Sequence, residues 1–394
     1  MGGTLTPQTE DEVREAIVWA INAGEPFEVV GHGTKRSISP PTQAAATLDV
    51  SGLDGIVAYE PEELVLTLRP GTTMAELAAE MDKKGQMFAF EPPNLAPLLG
   101  AVGEATFGGT FATNFAGPRR LTAGAVRDHM LGVHAISGRG EAFKAGGKVV
   151  KNVTGYDLSR ALCGSWGTLA VATELTVKVL PRPETEVTLV LAGLTADEAV
   201  AAMSRAMGSS ADVSGAAHLP AEVAPNGVTG PATALRLEGF GPSVSARLSH
   251  LQTMFAAASL SVLDEAASRA LWSAVRDVTP FVGTGHAVWR ISVAPTAGPE
   301  VAKAAPAGSR VMFDWAGGLL WVEAPITGDA GAAALRGAVA AAGGGHATLI
   351  RAPATLRAEV ATFHPSPAPL KALSERLRNA FDPQAVLNPG RMAR

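Results

Sequence analysis

The chain has a single cysteine, Cys163, among 394 residues. One thiol excludes an intramolecular disulfide framework, a Cys-rich zinc site and an iron–sulfur cluster ligated by this chain alone. Basic charge is also scarce: 32 Lys and Arg against 37 Asp and Glu give a net charge of −5. That removes the uniform positive field of a general nucleic-acid binder. No nucleic-acid partner is expected, and any anionic ligand must be held by local groups. No run approaches the ~20 uninterrupted apolar residues of a bilayer-spanning helix. Residues 1–6 lack the basic and apolar regions of a signal peptide, and the acidic Glu10, Asp11 and Glu12 do not suit a mitochondrial presequence. A cytoplasmic protein is expected, with any attachment to the inner membrane peripheral and through partners. Neither a Walker loop nor a G-x-G-x-x-G fingerprint opens any helix, and no repeat of solenoid period is present.

What is there reads as globular. Hydrophobic residues make up 47% and charged residues 18%, which excludes wholesale disorder. The length suits two or three domains at about 150 residues each, and 43 glycines with 27 prolines mark a turn-rich chain.

Thr9 and Glu12 are spaced as a capping box, with Val13, Ile17, Ala20 and Ile21 at helical period behind them and Gly24 as the stop. A strand over 27–30 follows, then another over 64–68 stopped by Pro70 and Gly71. Thr73 and Glu76 cap a second helix carrying Met74, Leu77, Ala78 and Met81, with Gly85 at its end. From 106 to 176 the helical period is lost and short β-rich runs alternate with turns. A strand over 175–180 closes that stretch at Pro181-Arg182-Pro183, a boundary because proline restricts its neighbours. Beyond it, strands over 187–191, 233–240, 286–293 and 347–351 and a hairpin of 311–315 with 319–323 interleave with amphipathic helices. The expected fold class is α+β, with a sheet covered by helices on one face. A final helix carries Leu370, Leu373 and Leu377.

Three segments carry chemistry. Gly31-His32-Gly33-Thr34-Lys35 follows a strand, so successive backbone N–H groups can converge on a phosphate, with a hydroxyl and an ammonium beside them. The same residues also suit an ordinary turn. Thr106-Phe107-Gly108-Gly109-Thr110-Phe111-Ala112-Thr113-Asn114 permits close approach of a ligand, or else forms a β-bulge. Gly155-Tyr156-Asp157-Leu158, followed by Gly164-Ser165-Trp166-Gly167-Thr168-Leu169-Ala170-Val171, lets a backbone run alongside a flat group.

Their order resembles the vanillyl-alcohol-oxidase-type (PCMH-type) FAD-binding fold, and within it the family of FAD-binding subunits of bacterial glycolate oxidases. The likeness runs over about 29–182. It rests on the segments above with Gly117-Pro118-Arg119-Arg120, Val126-Arg127-Asp128, Lys151-Asn152-Val153-Thr154 and Lys178-Val179-Leu180-Pro181-Arg182-Pro183, and it returns at Asn388-Pro389-Gly390-Arg391-Met392. The resemblance implies a two-lobed FAD-binding domain over 1–182, an α+β cap or partner-interaction domain over 183–380, and a tail over 381–394 packed on the FAD domain.

It also implies roles. Gly31, His32, Gly33, Thr34 and Lys35 would wrap the FAD pyrophosphate, with His32 alternatively a packing residue. Pro70 and Gly71 would line the cofactor cleft. Thr106, Gly108, Gly109, Thr113 and Asn114 would contact phosphates and flavin. Gly167, Ala170 and Val171 would take the adenine side, and Arg120, Gly124, Asp128, Trp166 and Asn388 would complete the cofactor contacts. Covalent members of the fold attach flavin to a histidine at the slot held here by Gly33, so non-covalent FAD is expected. Related hydroxyacid dehydrogenases carry a His-rich Gly-Asp-Gly-Asn-type motif in the cap, and none occurs in 183–394. His286 and His346 stand alone beside glycines, as turns entering strands. The catalytic residues are therefore unassigned, and no metal site is expected.

The implied function is a subunit of a glycolate oxidase complex that oxidises glycolate, a 2-hydroxy acid, to glyoxylate. Electrons would pass through FAD to an iron–sulfur subunit, beside a second FAD-binding catalytic subunit. A stand-alone FAD-dependent 2-hydroxyacid or alcohol oxidase and a non-catalytic scaffold with structural FAD are the alternatives. Cys163, in an apolar run, reads as buried and inert. Trp272, Trp289, Trp315 and Trp321 read as core or interface residues. Arg119 and Arg120 suit an anionic substrate, the FAD phosphates or a subunit contact. Lys148 and Lys151 read as solvating a turn, and Arg351, Arg357, Arg376 and Arg378 as solvated helix faces.

Overall fold

A computed structural model describes residues 3–147, 155–224 and 230–392. Lys148 and the Lys151-Asn152-Val153-Thr154 run lie outside the described residues.

The first lobe is built around two main sheets, beside a two-stranded pairing of Gln86–Met87 with Leu180–Pro181. Thr4–Leu5, Ala46–Asp49 and Phe27–Val30 form a parallel three-stranded sheet with Ala46–Asp49 in the middle. The helix Glu10–Ala23 buries Val13, Ile17 and Ala20 in the core shared with Phe27 and Leu48. Its cap is half of the expected box. The Thr9 hydroxyl accepts from the Glu12 N–H at 3.2 Å, but the Glu12 carboxylate reaches one residue further back, to the Gln8 N–H at 2.6 Å. The helix Met74–Asp82 has both halves of its box, from Thr73 and Glu76, an arrangement that contributes about 1 kcal/mol at a helix start. The second sheet is antiparallel and five-stranded, in the order Ile56–Glu60, Val65–Leu68, Ala170–Lys178, Met130–Ser137, Ala142–Gly146.

The segment 106–114 is not a β-bulge. Phe107–Thr113 is a short helix capped by the Thr106 hydroxyl, which accepts from the Gly109 N–H at 3.2 Å. The N-cap hydroxyl and the buried Phe107 and Phe111 outweigh the low helix propensity of two glycines.

The second lobe is an antiparallel eight-stranded sheet, ordered Ser259–Leu263, Thr185–Ala192, Ala232–Gly239, Gly215–Leu219, Arg310–Asp314, Leu319–Ala324, Ala287–Ser292, His346–Arg351. Each half is a βαββαβ unit, over 185–263 and 287–351, whose first strand lies between its third and fourth. The two units join at the His218–Phe313 pair. Helices Ala196–Met207, Gly241–Met254, Gly298–Lys303 and Ala332–Ala341 cover one face.

The other face is not open, which corrects the one-sided arrangement. Helix Glu265–Arg276 and the first lobe itself cover it. Leu271, Trp272, Val288, Met312, Leu319, Trp321 and Ile350 share one core with Ile38, Leu95, Leu98, Phe115 and Trp166. Strands buried on both faces lose polar alternation, as the wholly buried Leu319–Ala324 shows.

Charged groups knit the lobes. Arg236 forks onto Glu91 with both bonds at 2.9 Å, and Arg119 bridges Glu91 and Glu238. Arg119 is thus committed to an internal ion cluster. Burial pushes the Glu91 carboxyl up, but Arg236 and Arg119 outweigh it and hold it below its ordinary range. Arg351 and Arg357 are not solvated helix faces either. Arg351 lies on a strand and donates to Leu98 O at 3.1 Å and Phe281 O at 2.7 Å, and Arg357 donates to Ser39 O. Arg376 is exposed and Arg378 half-buried. Trp315 donates from Nε1 to Gly117 O at 3.0 Å, and all four tryptophans of the second lobe are buried.

The chain ends back on the first lobe. Phe27 donates to Val386 O at 2.8 Å and Asn388 donates to Phe27 O at 2.9 Å, so the tail extends the three-stranded sheet.

Candidate functional site

Strand Phe27–Val30 delivers residues 31–35 to the edge of the helix Phe107–Thr113. The approach is tight. A Cβ on Gly31 would stand 2.7 Å from the Thr106 hydroxyl that caps this helix, and one on Gly108 would stand 2.7 Å from Pro70 Cβ. Two adjoining cavities open there, sharing Val29, Val30, Gly31, Gly109, Ala112 and Trp166. The first adds His32, Gly33, Thr34, Lys35, Arg36, Thr106, Thr113 and Arg391. The second runs on between the two sheets past Pro70, Gly108, Gly167, Ala170, Val171 and Asn388.

Five of the expected positions line neither cavity. Gly71 packs on the backbone at Ser51 and Leu53 behind Pro70. Asn114 closes the helix, and its Oδ1 accepts from Arg127 N–H at 3.0 Å. Asp128 accepts from Ala125 N–H at 2.9 Å, beside Gly124. Arg120 lies over the Trp315 ring, 4.9 Å from its centre.

The first cavity is electropositive. Lys35 is 8% exposed, and among the described residues no carboxylate pairs with it. Burial pulls its ammonium down to about 8. Arg391 is buried against the same cavity, its guanidinium 5.8 Å from the Trp166 ring and its Nη1 3.6 Å from Glu28 Oε1, an ion pair. Arg391 was not singled out from the sequence, although it follows Asn388 within the closing motif. Val29, Val30 and Val50 were also missed, because apolar residues carry no chemical signal of their own.

His32 Nδ1 lies 3.0 Å from Glu104 O, which holds the ring against the neighbouring loop. Cys163 is buried and donates to Phe111 O at 3.3 Å, and burial drives its thiol pKa far above the ordinary range. Among the described residues no cluster of three or more His, Cys, Asp and Glu side chains is placed to hold a metal ion. A wider groove elsewhere, between helices Met74–Asp82 and Glu265–Arg276, has five arginines, each paired with a carboxylate. Among the described residues it offers no unpaired cation.

Comparison with known proteins bears on this cleft. An FAD binding domain family matches residues 2–146. Over 379 residues the chain is 34% identical to glycolate oxidase subunit GlcE of Escherichia coli (strain K12), covering 96% of this chain and 95% of the relative. The chain belongs to this family of FAD-binding glycolate oxidase subunits. It is an FAD-dependent oxidoreductase. A second family relative, glycolate oxidase subunit GlcD of Bacillus subtilis (strain 168), is 30% identical over 186 residues, 47% of this chain and 38% of that one. The fold is that of a solved p-cresol methylhydroxylase, with a TM-score of 0.74 at 14% identity over 99% of this chain and 88% of the other. An alkyldihydroxyacetonephosphate synthase matches with a TM-score of 0.72 at 15% identity, over 98% of this chain and 75% of that one.

The residues present fit the family's cofactor. The buried ammonium of Lys35, with no carboxylate partner among the described residues, calls for an anion. The glycines at Gly31 and Gly108 let the backbone pack directly on Thr106 and Pro70, which brings the 31–35 loop and the start of helix Phe107–Thr113 to one cleft.

Proposed function

We propose that this chain is the FAD-binding subunit of a glycolate oxidase complex, oxidising glycolate to glyoxylate and relaying electrons to an iron–sulfur subunit. The observation that carries the reading is the end-to-end match to a glycolate oxidase subunit, 34% identical over 96% of the chain, laid over a cleft with an unpaired cation. When bound, FAD supplies the two-electron acceptor and the one-electron donor that such a relay needs.

In this reading residues 31–35, with Gly109, Thr113 and Arg391, hold the diphosphate by backbone N–H groups, hydroxyls and two cations. Pro70, Gly167, Ala170 and Val171 bound the adenine end, and Trp166 and Asn388 hold the junction. The cofactor is non-covalent. Gly33 offers no side chain for attachment, and His32 is tied to Glu104 O.

The partners are a second FAD-binding catalytic subunit and an iron–sulfur subunit, since one buried cysteine cannot ligate a cluster here. A surface feature supports the assembly. Helix Ala368–Phe381 buries none of its residues, yet Leu370, Leu373 and Leu377 stand 51%, 53% and 41% exposed at helical spacing. Among the described residues no helix is long and apolar enough to cross a membrane, so membrane contact, in this reading, is peripheral and through partners of a cytoplasmic complex.

Affinity purification of the tagged chain from its own cells tests this. Retention of two further proteins, one with iron–sulfur absorption, together with glycolate-dependent dye reduction, is expected. A chain recovered alone, or a complex inert towards glycolate, would contradict it.

A further inference from the structure

Strand alternation divides the residues of Ala287–Ser292 between two cores. Trp289 and Ile291 face the helical layer, so Arg290 faces the first lobe. There its guanidinium lies 5.3 Å from the Phe115 ring, 4.9 Å from Trp315 and 5.9 Å from Trp321. Arg290 is only 8% exposed, yet among the described residues no carboxylate stands within ion-pair distance of it and no acceptor takes its N–H groups. Arg120, from the first lobe, places its guanidinium 4.9 Å from the centre of the same Trp315 ring. It too has no carboxylate partner among the described residues.

Two cations sharing one aromatic platform repel each other, and burial adds to the cost. The group that would relieve both is an anion between the lobes. The nearest internal carboxylate acting on Arg290, Asp314, does not fill that role: burial pushes it up to about 7, and its Oδ1 accepts from Trp315 N–H at 2.7 Å. Pairing Ser292 with His346 puts His346 on the same sheet face as Arg290, two residues along. His346 opens its strand at a solvent-exposed position; partial desolvation, then the charges of Arg290, His364 and Arg120, pull this imidazole down to about 4. It is neutral near pH 7 and keeps a lone pair to accept a hydroxyl proton in a hydrogen bond.

We propose that this chain carries its own site for a small 2-hydroxycarboxylate, with Arg290 and Arg120 holding the carboxylate and His346 accepting from the hydroxyl. Two fixed cations match a carboxylate, and the neutral acceptor beside them selects a ligand that also offers a hydroxyl donor. The site adjoins the cofactor cleft. Phe115, beneath Arg290, packs edge-on to Trp166 with ring centres 5.8 Å apart, and Trp166 lines both cavities. The inference rests on the hydroxy-acid reading above but departs from its division of labour, in which another subunit alone would bind substrate.

The test is calorimetric titration of the full-length, FAD-loaded chain, in which the diphosphate cradle is already filled, with glycolate, oxalate and inorganic phosphate. Saturable binding of glycolate is expected, with Arg290→Gln and Arg120→Gln each weakening it about tenfold or more at unchanged FAD content. His346→Phe should weaken glycolate but leave oxalate, which has no hydroxyl, nearly unchanged. If Arg290→Gln does not fold, the half-exposed Arg120→Gln decides the matter. Absence of glycolate binding, phosphate binding as tight as glycolate binding, or full affinity in both arginine variants would overturn the site. Failure of the wild-type chain to take up FAD would instead contradict the functional reading.

Discussion

Val29 donates its backbone N–H to Asn388 Oδ1 at 2.9 Å, across 359 positions of sequence. The same amide group donates from Nδ2 to Trp166 O at 3.0 Å. One side chain thereby joins the strand entering the 31–35 loop to the segment that carries Trp166 and Gly167. Asn388→Ala leaves these buried backbone groups unpaired, at a cost of about 1–3 kcal/mol. A lower midpoint in urea and a weaker hold on FAD are the expected outcomes. A variant with the wild-type midpoint and flavin content would show that the tail does not brace the cleft.

Lys35 makes FAD affinity depend on pH. Its folded value of about 8 lies below the ordinary 10.5. Unfolding the ligand-free protein therefore takes up a proton between those values, and ligand-free stability rises with pH through that window. A bound diphosphate favours the ammonium, so binding takes up a proton above about pH 8. FAD should dissociate about tenfold more readily at about pH 9.5 than at about pH 7, as read by fluorescence titration. Lys35→Met should bind more weakly at both and flatten the slope.

The space at Gly31 and Gly108 is specific to glycine. Gly108→Val must displace Pro70, and Gly31→Val must displace the Thr106 cap. Both variants are expected to purify colourless while keeping their far-ultraviolet circular dichroism. A yellow Gly108→Val protein would contradict the placement of the cofactor against this backbone.

The buried ion cluster is a stability element between the lobes. Removing Glu238 leaves Arg119 and Arg236 facing Glu91 alone, and breaking a buried pair on one side costs about 3–5 kcal/mol. Glu238→Ala should lower the denaturation midpoint accordingly. Burial pushes the Glu238 carboxyl up, but the Arg119 hydrogen bond and the charges of Arg236 and Arg119 bring it to about 2. Its contribution is present above the ordinary carboxylate range and is lost as pH falls towards 2, so the gap between variant and wild type should narrow in acid.

The leucines of helix Ala368–Phe381 separate folding from assembly. Leu373→Asp and Leu377→Asp sit on an exposed face and should change stability by no more than about 0.5 kcal/mol. Co-purification with the partner subunits is expected to fall. Full partner retention by the double variant would place the interface elsewhere.

Much of this cleft was legible in the sequence because its chemistry is local. A strand, two spaced glycines, a hydroxyl and a lysine lie within a few residues, and the capping pair Thr73 with Glu76 marks a helix start directly. The lobe junction was not legible. Arg236 and Glu91 are 145 positions apart, and nothing local distinguishes a committed arginine from a solvated one, which is why Arg119, Arg351 and Arg357 were misplaced. The strand Gly215–Leu219 escaped notice because burial on both faces erases the polar alternation that marks a strand. The Phe107–Thr113 helix was hidden by its glycines.

The most direct test of the whole account is the flavin content of the purified full-length chain after incubation with FAD and gel filtration. One FAD per chain, released intact into the supernatant by acid precipitation, is the predicted result. A folded chain that stays colourless, or a flavin that remains with the acid pellet, would contradict it.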